Sequence, residues 1–255
     1  MAVLPAGYSA GPMAARKPPE SWFWSHDIKS DQIDSVLMPG MRLVRLSSYG
    51  TGNARRFAAL VWKEPGAART NALDLDAAAL EVRLRETGAR PVGITVDAGA
   101  APPRFTVVLE AGPGPLSSVH VDLDEAGVRA LLGDHHGIAD FATYVVAGAR
   151  KYAVIVEERP GPSWLFTDVS AHELDAKLVE LGATLVRLRA YTAGGKPQFA
   201  AVAERSRVTG WAWYADLDAD GVARNLEGNS AYPFDLDAVR GERGVRFTVV
   251  MYRDH

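Results

Sequence analysis

The side chains of this 255-residue chain whose types and spacing suggest chemistry are carboxylates and histidines. The sharpest run is Asp216-Leu217-Asp218-Ala219-Asp220-Gly221, with Glu227 at the twelfth position. It satisfies the calcium-loop pattern, in which carboxylates and one carbonyl surround Ca²⁺ and glycine permits the turn. Yet Asp74-Leu75-Asp76 and Asp122-Leu123-Asp124 stand in the same register, and no helical pattern precedes Asp216. The sequence therefore favours helix capping over a metal, and no cofactor is expected. His135-His136, with Asp134 and Asp140, is a candidate for metal binding or proton transfer. Such a pair also serves as a solvated helix stop that favours the helix dipole. Gly7-Tyr8-Ser9-Ala10-Gly11 fits the G-x-S-x-G nucleophile elbow, which needs a buried strand before the serine and a helix after it. Pro12 opposes that context. Zero cysteines exclude disulfides, thiolate ligands and a cysteine nucleophile.

The elements that must position these groups are copies of one motif. Asp27, Asp74, Asp122, Asp168 and Asp216 each precede an aliphatic residue by six, at intervals of 47, 48, 46 and 48. Phe57, Phe105, Tyr152, Phe199 and Phe247 recur at 48, 47, 47 and 48. Two columns holding one period define a five-fold repeat. The repeats span about residues 21–66, 67–114, 115–160, 161–208 and 209–255 and are expected to form a single domain. Residues 1–20, rich in Ala, Gly and Pro, read as a flexible arm.

Each copy reads β-α-β-β, most plainly the fourth. There Trp164-Leu165-Phe166 begins a strand, Ser170-Ala171-His172-Glu173 is a capping box, and Gly182 ends an amphipathic helix. The first copy predicts a helix from about Asp31 to Leu37, and the second an N-cap at Asp76 and a stop at Gly88. The next strand is counted from Gly40, Gly88, His136, Gly182 and Ser230. At +4 and +6 it carries Val44 and Leu46, Val92 and Ile94, Asp140 and Ala142, Val186 and Leu188, and Phe234 and Leu236. These mostly apolar positions are predicted to face the helix. At +5 and +7 it carries Arg45 and Ser47, Gly93 and Thr95, Phe141 and Thr143, Arg187 and Arg189, and Asp235 and Asp237. That alternation predicts a half-buried strand with one wetter face. The last strand is apolar on both faces and predicted central.

One copy cannot bury its own sheet, so the five must pack together. The expected fold is an α/β repeat protein closed into a five-bladed α/β-propeller-like ring of pentein type; an open solenoid is the alternative. Trp22, Trp24, Trp164, Trp211 and Trp213 recur in first strands, as stacking surface if exposed or as core. Arg45, Arg187 and Arg189 against Asp235 and Asp237 would give a channel a basic and an acidic side, or form ordinary cross-strand pairs. His26 and His120 lie near first-strand ends. The five aspartates are a carboxylate ring or turn formers, with Arg56, Arg104, Lys151 and Arg246 as possible partners.

Repeats one and four resemble the bacterial tandem repeat of actinobacterial proteins, found also beside the catalytic domain of polyglycine hydrolases. The matching residues include Trp22 or Trp164, then Gly40-Met41-Arg42-Leu43-Val44 or Gly182-Ala183-Thr184-Leu185-Val186. They continue with Ser47-Ser48-Tyr49-Gly50 or Arg189-Ala190-Tyr191, and Phe57-Ala58-Ala59-Leu60-Val61-Trp62 or Phe199-Ala200-Ala201-Val202. Repeats two, three and five keep only the skeleton. The resemblance implies an accessory binding module and brings no catalytic residues. No S-x-x-K, the hydrolase partner's own motif, occurs in the chain.

A formal charge of −3, with both signs interspersed, gives no footprint for nucleic acid. No apolar run is long enough for a membrane span, and the chain reads as soluble and untargeted. The expected function is non-catalytic binding of a small molecule or peptide through Trp and charged side chains. Its alternative is an enzyme using His26, His120 or the Asp235/Asp237 pair in the channel, without cysteine. A purely structural or oligomerisation module is the third reading.

Overall fold

The computed structural model describes residues 14–15, 18–97, 99–133, 135–159, 161–207 and 210–253. The serine elbow at residues 7–11 and most of the N-terminal arm lie outside the described residues. The elements begin with β1 (Ala14–Ala15), and the first repeat carries β2 (Ser21–Ile28), β3 (Met41–Tyr49) and β4 (Arg56–Lys63). The second carries β5 (Arg69–Leu75), α1 (Ala77–Thr87), β6 (Arg90–Asp97) and β7 (Arg104–Glu110). The third carries β8 (Ser117–Leu123), α2 (Glu125–Ala130), β9 (His136–Val146) and β10 (Ala149–Glu158). The fourth carries β11 (Ser163–Val169), α3 (Ala171–Leu181), β12 (Thr184–Ala193) and β13 (Lys196–Glu204), followed by β14 (Ser206–Arg207). The fifth carries β15 (Trp211–Leu217), α4 (Ala219–Gly228), β16 (Tyr232–Gly241) and β17 (Gly244–Tyr252). In parallel register, β1 pairs with β14.

Each repeat forms one three-stranded sheet with its last strand in the middle: β2-β4-β3, β5-β7-β6, β8-β10-β9, β11-β13-β12 and β15-β17-β16. The two-sided apolar sequence of that strand requires this place, and Leu60, Val107, Val154, Ala201 and Val249 are fully buried. The four α-helices among the described residues start on Asp76, Asp124, Ser170 and Asp218. The side chain of each accepts the backbone N–H three residues on. Gly88 and Gly182 end α1 and α3 in the left-handed conformation.

Repeat one departs from the predicted helix. Two 3₁₀ turns, Ser30–Gln32 and Asp34–Val36, stand in its place. Its cap position is Lys29, whose side chain has no acceptor, and Ser35 donates its hydroxyl to the Gln32 carbonyl, so the turn tightens.

All five column aspartates have positive φ, between +49° and +63°. A register shift lies at this point of every first strand, as between Ser25 and Ile28 or Phe166 and Val169. The aspartate is thus the left-handed residue of a bulge, two positions before the cap. Aspartate tolerates this conformation because its short polar side chain bonds locally.

A second bulge corrects the period-two reading of the following strand. Leu43 pairs with Val61 but Arg45 with Leu60, and the same shift recurs at Pro91/Gly93, Leu185/Arg187 and Pro233/Asp235. The extra residue resets the alternation, so Leu43 and Leu46, three apart, both enter one core. Nor is the +5/+7 face wet. Arg45, Ser47, Thr95, Arg189, Asp235 and Asp237 are all buried. Counting from His136 sets repeat three one residue out of register, so Asp140, expected on the helix side, occupies the column of Arg45, each 18 residues after its column aspartate. Tyr144 fixes that register: it lies eight residues before Tyr152, as Tyr49 does before Phe57 and Tyr191 before Phe199.

Cα packing divides the chain into two compact units. One holds Pro19–Leu132 and Ile138–Glu158, the first three repeats; the other holds Arg159 onward, with Gly133–Gly137. In the three-repeat unit each core straddles neighbouring sheets. Ile28, Ile33, Leu43, Leu46 and Phe57 of repeat one meet Val108 of repeat two, and Leu80, Ile94 and Phe105 of repeat two meet Tyr144, Ala153 and Ile155 of repeat three. In the two-repeat unit, Tyr252 Oη donates to the Leu185 carbonyl at 2.7 Å and Trp213 Nε1 to Asp175 at 2.9 Å. Within each unit a repeat completes its burial on a neighbouring repeat, as a motif too small for its own core must.

Candidate functional site

The buried charges lie where successive repeats meet. Arg45 Nη1 pairs with Asp140 Oδ2, and the same oxygen accepts the Ile94 N–H at 2.8 Å. The arrangement recurs in the other unit: Asp235 Oδ2 accepts from Arg189 Nη1 at 2.7 Å and from the Leu188 N–H at 2.9 Å. Asp237 lies 3.9 Å from Arg189 Nε. The aspartate of one repeat therefore ties down the strand of the repeat before it and neutralises an arginine. Gly93 occupies the same column between Arg45 and Asp140; a Cβ there would stand 3.3 Å from Val108 and 3.7 Å from Asp140 Oδ2. A side chain larger than alanine there would crowd Val108 and the carboxylate that Arg45 pairs with. Arg187, half-buried, lies over the Phe234 ring at 5.4 Å and donates to the Val186 carbonyl.

A second network gathers at the opposite strand ends of the three-repeat unit. Arg42, Arg69 and Arg90 all pair with Glu110, and Arg42 and Arg90 also reach Glu64 and Glu157. Burial opposes ionisation of Glu110, but the Arg69 hydrogen bond and the three guanidinium charges outweigh it and hold the carboxyl below its usual range. Burial and the neighbouring Arg42 lower the Arg69 pKa from its ordinary value.

The five column aspartates are exposed turn residues. Tyr49, Tyr144 and Tyr191 accept the N–H of Asp27, Asp122 and Asp168 on their hydroxyls, at 2.8, 2.9 and 2.9 Å. Burial first, with the nearby Asp122 charge, pushes the Tyr144 phenol up to about 12. In repeat two the tyrosine is replaced by Asp97, and Arg55 from repeat one bridges Asp97 and Asp74. Of the bases before the aromatic column, Arg56 and Arg246 pair with the column aspartates Asp27 and Asp216, whereas Arg104 pairs with Asp76 and Lys151 donates to the Asp122 carbonyl. In the calcium-like run Asp218 caps α4, Asp216 pairs with Arg243, and Glu227 lies inside the helix. Among the described residues no cluster of His, Asp and Glu is arranged to hold a metal.

The aromatic candidates divide by depth. Trp211 is buried, while Trp213 is half-buried and meets Phe199 edge-on at 5.3 Å. Trp164 is half-buried with Arg205 5.9 Å over its ring. In repeat one Trp22 stands opposite Trp62, and half-buried Trp24 stacks on exposed His26 at 5.5 Å. His120 Nε2 lies 2.9 Å from the Ser118 hydroxyl. His135 and His136 are exposed; Asp134 lies outside the described residues, and Asp140 is committed to Arg45. The tyrosine column and the Gly93 gap were missed by the sequence reading, although the eight-residue Tyr-to-aromatic spacing was there to find.

Residues 31–64, within repeat one, match the family model of the polyglycine hydrolase-like structural repeat. This meets the resemblance seen in the sequence of that copy. No curated protein matches the chain. No helix among the described residues is long and apolar enough to cross a membrane.

Proposed function

We propose that the five repeats close into a propeller-like ring and that this module is a non-catalytic binder of an extended peptide or small ligand. The observation that carries the binding reading is β2, an edge strand whose face presents Trp22, Trp24 and exposed His26. An edge strand offers unpaired backbone groups to an added peptide strand, and flanking aromatics supply contact area. The buried arginines and aspartates are occupied in holding repeats together, which favours binding at this edge over acid–base chemistry on Asp235 and Asp237. Ring closure is supported by the recurrence of one packing step, with an aspartate on the preceding backbone, in both units. The match to a polyglycine hydrolase-like repeat makes a glycine-rich peptide the first probe.

The test is titration of N-acetylated, C-amidated glycine-rich peptides, read by tryptophan fluorescence and calorimetry. Saturable binding weakened about tenfold, or about 1.4 kcal/mol, by Trp24→Ala is expected. No saturation by any such peptide, or binding indifferent to Trp22→Ala and Trp24→Ala, would count against the reading. Small-angle scattering of the full chain separates a closed ring from an extended solenoid.

A further inference from the structure

The hairpins between the second and third strands of the repeats differ in length. In repeats three, four and five, two residues join the strands: 147–148, 194–195 and 242–243. In repeats one and two the connection takes six, residues 50–55 between β3 and β4 and residues 98–103 between β6 and β7. The two long loops meet: a side chain on Gly99 would overlap Thr51. Insertions in a repeat protein map to loops on one face, often the one that binds.

Beside the first loop, within the three-repeat unit, lies an open cleft of about 720 Å³. Its walls include Arg55 from the loop and Arg56 at the start of β4, Asp74 and Asp97 from repeat two, Asp31 from the first 3₁₀ turn and Lys29 at its cap. Arg55 is held by both Asp74 and Asp97 and lies 5.1 Å over the Phe57 ring. Arg56 is held by the Asn53 and Arg55 carbonyls and by Asp27. These four groups are fixed before any ligand arrives, which lowers the ordering cost of binding. Lys29 and Asp31 are exposed at the rim, with no side-chain ion pair among the described residues.

The lining selects a class of ligand. No aromatic or large aliphatic side chain lines the cleft, so neither an apolar molecule nor the flat face of a sugar finds a surface to cover. Three cations face three anions, so a lone anion or cation gains no net attraction. A molecule carrying both charges can set its carboxylate against Lys29 and Arg56 and its ammonium against Asp31. We infer that the cleft beside the long hairpin of repeat one, closed on its other side by Asp74 and Asp97 of repeat two, binds a small zwitterion of the free α-amino acid type. This stands apart from the edge-strand reading, whose blocked peptides carry no terminal charges.

Calorimetric titration of the full chain with a panel of free α-amino acids tests it, with acetate, methylammonium and glucose as controls. At least one amino acid is expected to bind saturably and more tightly than all three controls. Lys29→Gln and Asp31→Asn, both rim changes without a fold partner, should each weaken that binding about tenfold while leaving the circular dichroism spectrum unchanged. No saturable binding by any amino acid would overturn the proposal. So would binding unaltered in both variants, or acetate, methylammonium or glucose binding as tightly as the best zwitterion.

Discussion

Arg45 of the first repeat pairs with Asp140 of the third across Gly93 of the second, and both charges are almost wholly withdrawn from water. Removing one member of such a pair leaves the other buried and uncompensated, which costs about 3–5 kcal/mol. Arg45→Met is therefore expected to lower stability by that order in urea denaturation. Asp140→Asn combined with it should recover a large part, since the amide oxygen can still accept the Ile94 N–H. Gly93→Leu, which fills the gap, is expected to cost about 1–3 kcal/mol by overpacking. A Gly93→Leu variant as stable as the parent would show that the gap is not needed.

The left-handed aspartates make a graded prediction. At Asp168, φ is +49° and the carboxylate accepts from Tyr191 Oη at 2.9 Å. Asp168→Gly should be tolerated better than Asp168→Val, because a β-branched residue in this conformation costs about 1–2 kcal/mol. Melting temperatures of the two variants, compared with Asp168→Asn, decide it.

Tyr144 predicts behaviour at high pH. Its folded pKa of about 12 lies above the ordinary value near 10, chiefly through burial. The neutral phenol is favoured by the fold, so its contribution is full below about pH 10 and is lost as pH rises through about 12. Tyr144→Phe should lower stability at neutral pH by about 1 kcal/mol, through loss of the acceptor for the Asp122 N–H, and flatten the alkaline limb. Spectrophotometric titration of the phenols would show one late-titrating tyrosine missing from the variant.

Glu110 predicts the acid limb. Burial opposes its charge but the Arg69, Arg42 and Arg90 contacts prevail, so its folded pKa lies below the unfolded value. Its contribution is present above the unfolded pKa, about 4.3, and is lost as pH falls through the lower folded value. Glu110→Gln should be destabilised at pH 7 and show a shallower loss between about pH 5 and 3. Equal acid limbs in parent and variant would remove Glu110 as the cause.

The sequence by itself determined the number of repeats, the β-α-β-β order of all but the first, the central place of the last strand and the caps at Asp76 and Ser170. Those follow from local periodicity and from side chains that bond within a few residues of themselves. For the five aspartates it left a carboxylate ring and turn forming both open; their positive φ in a bulge before the cap makes them turn formers. Tertiary structure alone decided the rest. The bulge at Val44 and the connection before this strand, one residue shorter in repeats one and three than in the others, change which side chains face each other, and strict alternation cannot register an inserted or missing residue. The Arg45–Asp140 pair joins residues 95 apart, with Gly93 of the repeat between them beside its carboxylate. The sheet face read as wet is buried because a neighbouring repeat's carboxylate satisfies its charge, a long-range pairing that spacing within one repeat does not encode.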